Sequence, residues 1–172
     1  IKTETTSEFA AVFQPVQQDA SHYISTAEMN RTVTKSGPLR VAAYIRVSSD
    51  SSDQENSYET QDKYFSGLLS KNPEWTSAGV YSDYGISGTD KQHRTGYKRL
   101  LRHCREGKID RIVCKSISRF ARNTSDFMTA LNTLHDHQVT ILFEKEGLDT
   151  ADPTNDFILT TLAAIAQEES RS

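Results

Sequence analysis

Ser48 closes the segment Tyr44-Ile45-Arg46-Val47-Ser48-Ser49, two residues after an arginine. A serine hydroxyl is a weak nucleophile until its proton is taken. A guanidinium is the side chain best matched to phosphate, because its planar fork binds two oxygens and stays charged. Side chains two apart in a strand lie on one face, so Arg46 and Ser48 are expected to face the same way. A second cluster runs Lys115-Ser116-Ile117-Ser118-Arg119-Phe120-Ala121-Arg122-Asn123. Arg119 and Arg122 share a face if this turn is helical, and a following helix N-terminus would add free N–H groups. Cations are poorly placed there for helix stability, which points to a ligand anion. A third element, Asp83-Tyr84-Gly85-Ile86-Ser87-Gly88-Thr89, has two glycines that free its backbone and leads on to Arg94 at the start of a helix. An alcohol nucleophile with several phosphate-binding arginines supplies the parts of phosphoryl transfer: a group to attack, and positive charge to hold and neutralise the phosphoryl oxygens.

The charge distribution agrees. Residues 91–122 hold eleven Lys or Arg against the two acids Glu106 and Asp110, a net +9, inside a chain of formal charge −3, which leaves −12 elsewhere. A basic block in an acidic protein points to a localised anion site, and solvated helix faces are the plainer alternative. No His pair or carboxylate cluster has metal-ligand spacing near these motifs, so no metal and no other cofactor is expected. Asp83 and Asp110 are too scattered for a two-metal site, and His135 and His137 read as exposed or capping residues at a helix end. Cys104 and Cys114 lack zinc-like spacing and are expected as buried thiols. No apolar run is long enough to span a membrane, and the first residues do not read as a signal peptide, so a cytoplasmic location is expected. No G-x-G-x-x-G follows the first strand, which argues against a Rossmann nucleotide binder.

The elements that must position these residues alternate. Residues 1–38 read as an arm or linker, with a short helix near Ser7 to Phe13 and a boundary at Gly37-Pro38. Strands are expected at Arg40 to Val47, Ala78 to Ser82, Ile109 to Lys115 and Val139 to Glu144. Helices are expected from Ser57 to about Lys71, with Gln61, Phe65, Leu68 and Leu69 on one face; from Thr95, a candidate cap, to Gly107; from a cap at Asn123 or Thr124; and from Asp152-Pro153. This order predicts an α/β fold: a mostly parallel sheet of about four strands flanked by helices, right-handed crossovers, and a site beyond the carboxyl ends of the strands. The expected division is an arm over 1–38, a catalytic core over 39–150 and a long C-terminal helix beginning over 151–172. A continuation past residue 172 is expected.

Taken in order, Y-x-R-V-S-S, S-x-x-T-Q, D-x-G-x-S-G, R-x-G-Y and S-x-S-R-F-x-R-N resemble the catalytic domain of the serine recombinases, the resolvases, invertases and large transposon and phage integrases. The resemblance covers about residues 39–172. It implies a resolvase-like fold, Ser48 as nucleophile and Arg46, Arg94, Arg119 and Arg122 as active-site arginines. It implies Gln61 and Asp110 as supporting residues beside Tyr44 and Ser118, and phosphate contacts by Lys115, Arg119 and Arg122. Ser118 stands where small resolvases carry Asp; this, and the spread-out segment leading to Arg94, resemble the large subfamily. Ala166-Gln167-Glu168-Glu169-Ser170-Arg171 resembles the start of the helix that leads to a DNA-binding region, with Ser170 where small resolvases have Arg. The implied activity is site-specific DNA recombination through a 5′-phosphoserine. The implied partners are double-stranded DNA and further subunits, a dimer and a synaptic tetramer. The alternatives are a metal-independent Ser/Arg phosphatase or phosphotransferase on a similar sheet, and a non-catalytic assembly domain.

Overall fold

The computed structural model describes residues 36–48, 54–85 and 94–171, with only the backbone described at 48, 54–56, 85, 163, 165–167 and 169–171. The expected helix near Ser7 to Phe13, the loop residues Ile86 to Thr89 and the side chains of Ser48 and Ile165 lie outside the described residues.

β1 (Leu39–Ser48) is the centre of the fold. Its run of apolar residues fits a strand covered on both faces. Ala42 and Tyr44 join one core, and Val41, Ala43, Ile45 and Val47 join the other. α1 (Gln54–Lys71) covers the second core with Phe65 and Leu69. β2 (Trp75–Gly85) pairs in parallel with β1, and the register shifts between Val41 and Ala42. Val41 faces Ser77 and Ala42 faces Gly79, so Ala78 is the extra residue of a bulge, eased by Gly79 at φ 101°. The extra residue resets the alternation of β2, and Tyr81 joins the core that contains Tyr44.

α2 (Thr95–Arg105) packs Leu100 and Cys104 on that core and ends at Gly107, whose φ of 70° suits a glycine stop. β3 (Arg111–Cys114) pairs with the other edge of β1. A single turn, α3 (Ile117–Phe120), precedes α4 (Thr124–Asp136), which Asn123 caps by accepting the Asp126 N–H at 2.8 Å. β4 (Thr140–Phe143) extends the parallel sheet. An antiparallel edge strand, β5 (Leu148–Asp149), makes a fifth; two residues give no legible period, which is why four were expected. Asp152 caps a 3₁₀ turn at Pro153–Asn155, and α5 (Asp156–Arg171) follows.

The strand order is β2-β1-β3-β4-β5. The order reverses at β1, so the chain leaving β1 and the chain leaving β3 part in opposite directions at their carboxyl ends. Open α/β sheets bind ligands at such a switch point.

Candidate active site

Ser48 is the last residue of β1, with its Cα opposite Gly85 of β2. Two residues earlier, Arg46 reaches across the switch point. Its Nε donates to the Arg119 carbonyl at 3.1 Å and its Nη2 to the Ser118 carbonyl at 2.6 Å. Arg119 answers by donating Nη1 to the Arg46 carbonyl at 2.6 Å. The end of β1 and the α3 turn are thus locked by two guanidiniums on each other's backbone. Burial lowers the pKa of Arg46, and the nearby charges of Arg94, Arg119 and Arg122 lower it further. Four like charges converge here, an arrangement that favours an anion among them.

Arg94 enters from the start of α2. Its Nη2 donates to the Phe120 carbonyl at 2.6 Å and to the Tyr44 hydroxyl at 3.0 Å, and the guanidinium lies 3.8 Å from the Tyr97 ring centroid. Its Nε is buried without a hydrogen-bond partner. Tyr44 is fully buried and donates its hydroxyl to Asp83 Oδ2 at 2.8 Å. Burial drives its pKa well above the ordinary phenol range, so it serves as a neutral hydrogen-bonding post.

Asp83 is the residue that sequence reasoning undervalued. Its Oδ1 accepts the Gly96 N–H and its Oδ2 the Tyr97 N–H, both at 2.8 Å. Thr95 was expected to cap α2, but Arg94 holds the cap position and makes no side-chain cap bond. The buried carboxylate of Asp83 does the capping from β2, and so fixes the helix start that carries Arg94. Gly96 is required beside it, because a Cβ there would lie 2.2 Å from the Ser82 carbonyl oxygen. The signal was present in the sequence as Asp83 at a strand end and Gly96 after Arg94, but a cap supplied from another strand has no local pattern.

Several expectations need correction. Arg119 and Arg122 do not share a helical face: α3 stops at Phe120, and Ala121 is extended at φ −120°, ψ 154°. Arg122 lies beyond that break, on the approach to α4. The N–H groups expected to await a phosphate are partly taken, since Asn123 caps α4 and Glu146 accepts the Ile117 N–H at 3.2 and 3.3 Å. Asp110 is at the opposite pole. It clasps Arg40 through the backbone N, Nε and Nη2, each at 2.9 Å, at the amino end of β1. Ser48 lies eight residue steps along the strand from Arg40, roughly 25 Å at the usual rise. Asp110 therefore ties β1 to β3 and does not meet the arginines. Gln61 lies on α1, where its amide reaches Ser57 Oγ at 3.4 Å; no hydrogen bond among the described residues joins it to the four arginines. Ser118 contributes its carbonyl, and its hydroxyl lies 3.1 Å from that of Ser116. Lys115 is exposed at the end of β3. Among the described residues, no group of three or more His, Cys, Asp or Glu is placed to hold a metal ion, and no helix is long and apolar enough to cross a membrane.

The family described as Resolvase, N terminal domain, matches residues 41–172. This chain belongs to that family of serine recombinases. A resolvase/recombinase from Pseudomonas putida is 28% identical over 131 residues, which cover 76% of this chain and 65% of the relative's length. Among solved structures, a resolvase family site-specific recombinase from Streptococcus pneumoniae is 28% identical, with a TM-score of 0.61 over 77% of this chain and 91% of that one. The N-terminal catalytic domain of TP901-1 integrase shares the fold at 24% identity and a TM-score of 0.59, covering 77% of this chain and 97% of its own. These likenesses favour neither the phosphatase nor the assembly-domain alternative.

Proposed function

We propose that this chain is the DNA-cutting domain of a site-specific recombinase, with Ser48 as its nucleophile. The observation that carries the reading is the convergence of Arg46, Arg94 and Arg119 where β1 ends in Ser48. The Ser48 hydroxyl attacks a backbone phosphorus. The Oγ–P bond forms, the bond from phosphorus to the 3′ oxygen breaks, the serine proton is released, and the departing 3′ oxygen is protonated. The product is a 5′-phosphoserine and a free 3′-OH. Rejoining is the reverse attack by a 3′-OH from a second duplex, so the phosphodiester energy is kept and no high-energy cofactor is needed. Arg46 and Arg119 hold the phosphate in line and neutralise the pentacoordinate charge. A guanidinium has five N–H donors, so the carbonyl contacts that aim these side chains still leave donors for phosphate.

On this reading residues 39–150 form the catalytic core, 1–38 an arm, and 151–172 the start of a helix leading to a DNA-binding region. Two subunits act at each site and four in the synapse, since two duplexes exchange all four strands. The protein works on DNA in the cytoplasm. The likeness to the large subfamily rests on Ser118 and the long segment before Arg94.

The deciding experiment incubates the full-length protein with DNA from the candidate recombination site and denatures the mixture. A covalent protein–DNA adduct is expected, and Ser48→Ala abolishes it while fold and DNA binding remain. Cleavage by the folded Ser48→Ala protein would sink the assignment. Cleavage is also expected to persist in excess EDTA, because the arginines supply the charge that a metal would otherwise bring. Loss of cleavage on chelation, restored by magnesium, would point to a metal nuclease.

A further inference from the structure

Arg94 and Arg122 also stand at one end of a groove between α2 and α4. The groove has a volume of about 320 Å³. Its α2 wall is Arg94, Tyr97, Lys98, Leu101 and Arg105, the spacing of one helical stripe. Four of its lining side chains are cationic, and the one acid is Asp126. The α4 wall offers the hydroxyls of Thr129 and Thr133, which can donate to an anion. Arg94, whose Nε is buried without a hydrogen-bond partner, is one of the residues that line it. α2 carries no acid in its first turn, and Arg99 and Arg102 widen the basic surface on its outer side around Thr95 and Gly96.

We propose that the groove between α2 and α4 is a second phosphate-binding surface, which grips the DNA backbone flanking the cut through Lys98 and Arg105. The inference rests on the recombinase reading and deepens it. Continuity selects the occupant: the groove is lined at one end by Arg94 and Arg122, two of the four arginines that gather near the end of β1, and its α2 stripe runs on from Arg94 to Arg105. Arg94 and Arg105 are eleven residues apart, about 16 Å along a helix. Phosphates of one strand advance about 3.4 Å per nucleotide along a duplex, so this length matches roughly five nucleotides. Charge does the same selecting, since a polyanion satisfies several cations at once. The contact carries no base information, because it is made to phosphates.

The test measures binding of the chain to a random-sequence duplex by fluorescence anisotropy across a salt series. Each phosphate contact contributes about 0.9 to the slope of log affinity against log salt. Lys98→Gln with Arg105→Gln is expected to weaken binding at low salt and to reduce that slope by about 1.8. The same loss is expected on a scrambled duplex. Lys71→Gln, on an exposed site at the far end of α1, is expected to leave the slope unchanged. Circular dichroism and melting temperature check that the paired variant is folded. An unchanged slope in the folded variant, or a wild-type chain that binds no duplex at low salt, overturns the groove. A variant that alters self-association while binding DNA like the wild type also overturns it, by assigning the surface to a protein partner. These results are separable from failure of the recombinase reading. If the Ser48-dependent adduct forms while the slope is unmoved, only the groove is lost; if no adduct forms with site DNA, the reading itself fails.

Discussion

Asp83 accepts three hydrogen bonds with one carboxylate, from Tyr44, Gly96 and Tyr97, and nearly all of it is buried. Asp83→Ala would leave three donors unpaired in a dry site, at about 1–3 kcal/mol each before relaxation. Asp83→Asn keeps one good acceptor and should lose less. The expected order of stability, read from urea midpoints, is wild type, then Asn, then Ala. Cleavage should fall in the same order, because the start of α2 and with it Arg94 would loosen. Equal midpoints for all three would show that the cap is dispensable. Arg119 makes a different prediction. Its guanidinium donates to the Arg46 carbonyl while its own carbonyl receives Arg46. Arg119→Ala is expected to cut single-turnover cleavage by about 10² to 10³, the usual loss for one preorganised charge donor. Arg119→Lys should rescue poorly, since an ammonium cannot reproduce the fork. A near-normal rate in Arg119→Ala would make the residue a backbone brace only.

At the scale of the element, the α2 start depends on contact between backbones. Gly96 lies under the Ser82 carbonyl, and any Cβ there must push α2 away from β2. Gly96→Ala is expected to cost about 1–3 kcal/mol, the range for overpacking a filled site. At about 2–4 °C per kcal/mol for a chain of this size, melting should drop by several degrees. An unchanged melting temperature would mean that the helix start gives way easily. The strand and helix order was legible because each segment keeps one hydrophobic period, as in β1 with both faces apolar and α2 with Leu100 and Cys104 four apart. The gathering of Arg46, Arg94 and Arg119 was legible as an ordered set of motifs, with Arg46 near the end of β1, Arg119 in the turn after β3 and Arg94 at a helix start. Tertiary choices were not. The Ala78 bulge, the capping of α2 from β2 and the break at Ala121 all depend on partners distant in sequence. The position of Asp110 was not legible for the same reason: an acid beside a strand looks alike at either end, and the Arg40 clasp reveals that it stands at the amino end of β1.

At the scale of the whole molecule, α5 has two apolar sides. Leu159 is fully buried and Leu162 packs on the core, whereas Phe157 is 81% exposed and Ile158 48%. A helix held by one apolar face with two large apolar side chains left bare beside it is expected to meet another subunit. In a chain extended past Ser172, light scattering should show a dimer or larger, and Phe157→Asp or Ile158→Asp should shift it toward monomer. An extended wild-type chain that stays monomeric even on site DNA would refute the assembly. The two cysteines give a way to watch that assembly form. Cys104 and Cys114 are fully buried, and burial pushes both thiols up to about 12. At neutral pH the native surface is therefore silent to thiol reagents. A single cysteine introduced at an exposed position can carry a fluorophore with the native thiols left in place, and energy transfer between two labelled copies would then time their meeting and their exchange of partners.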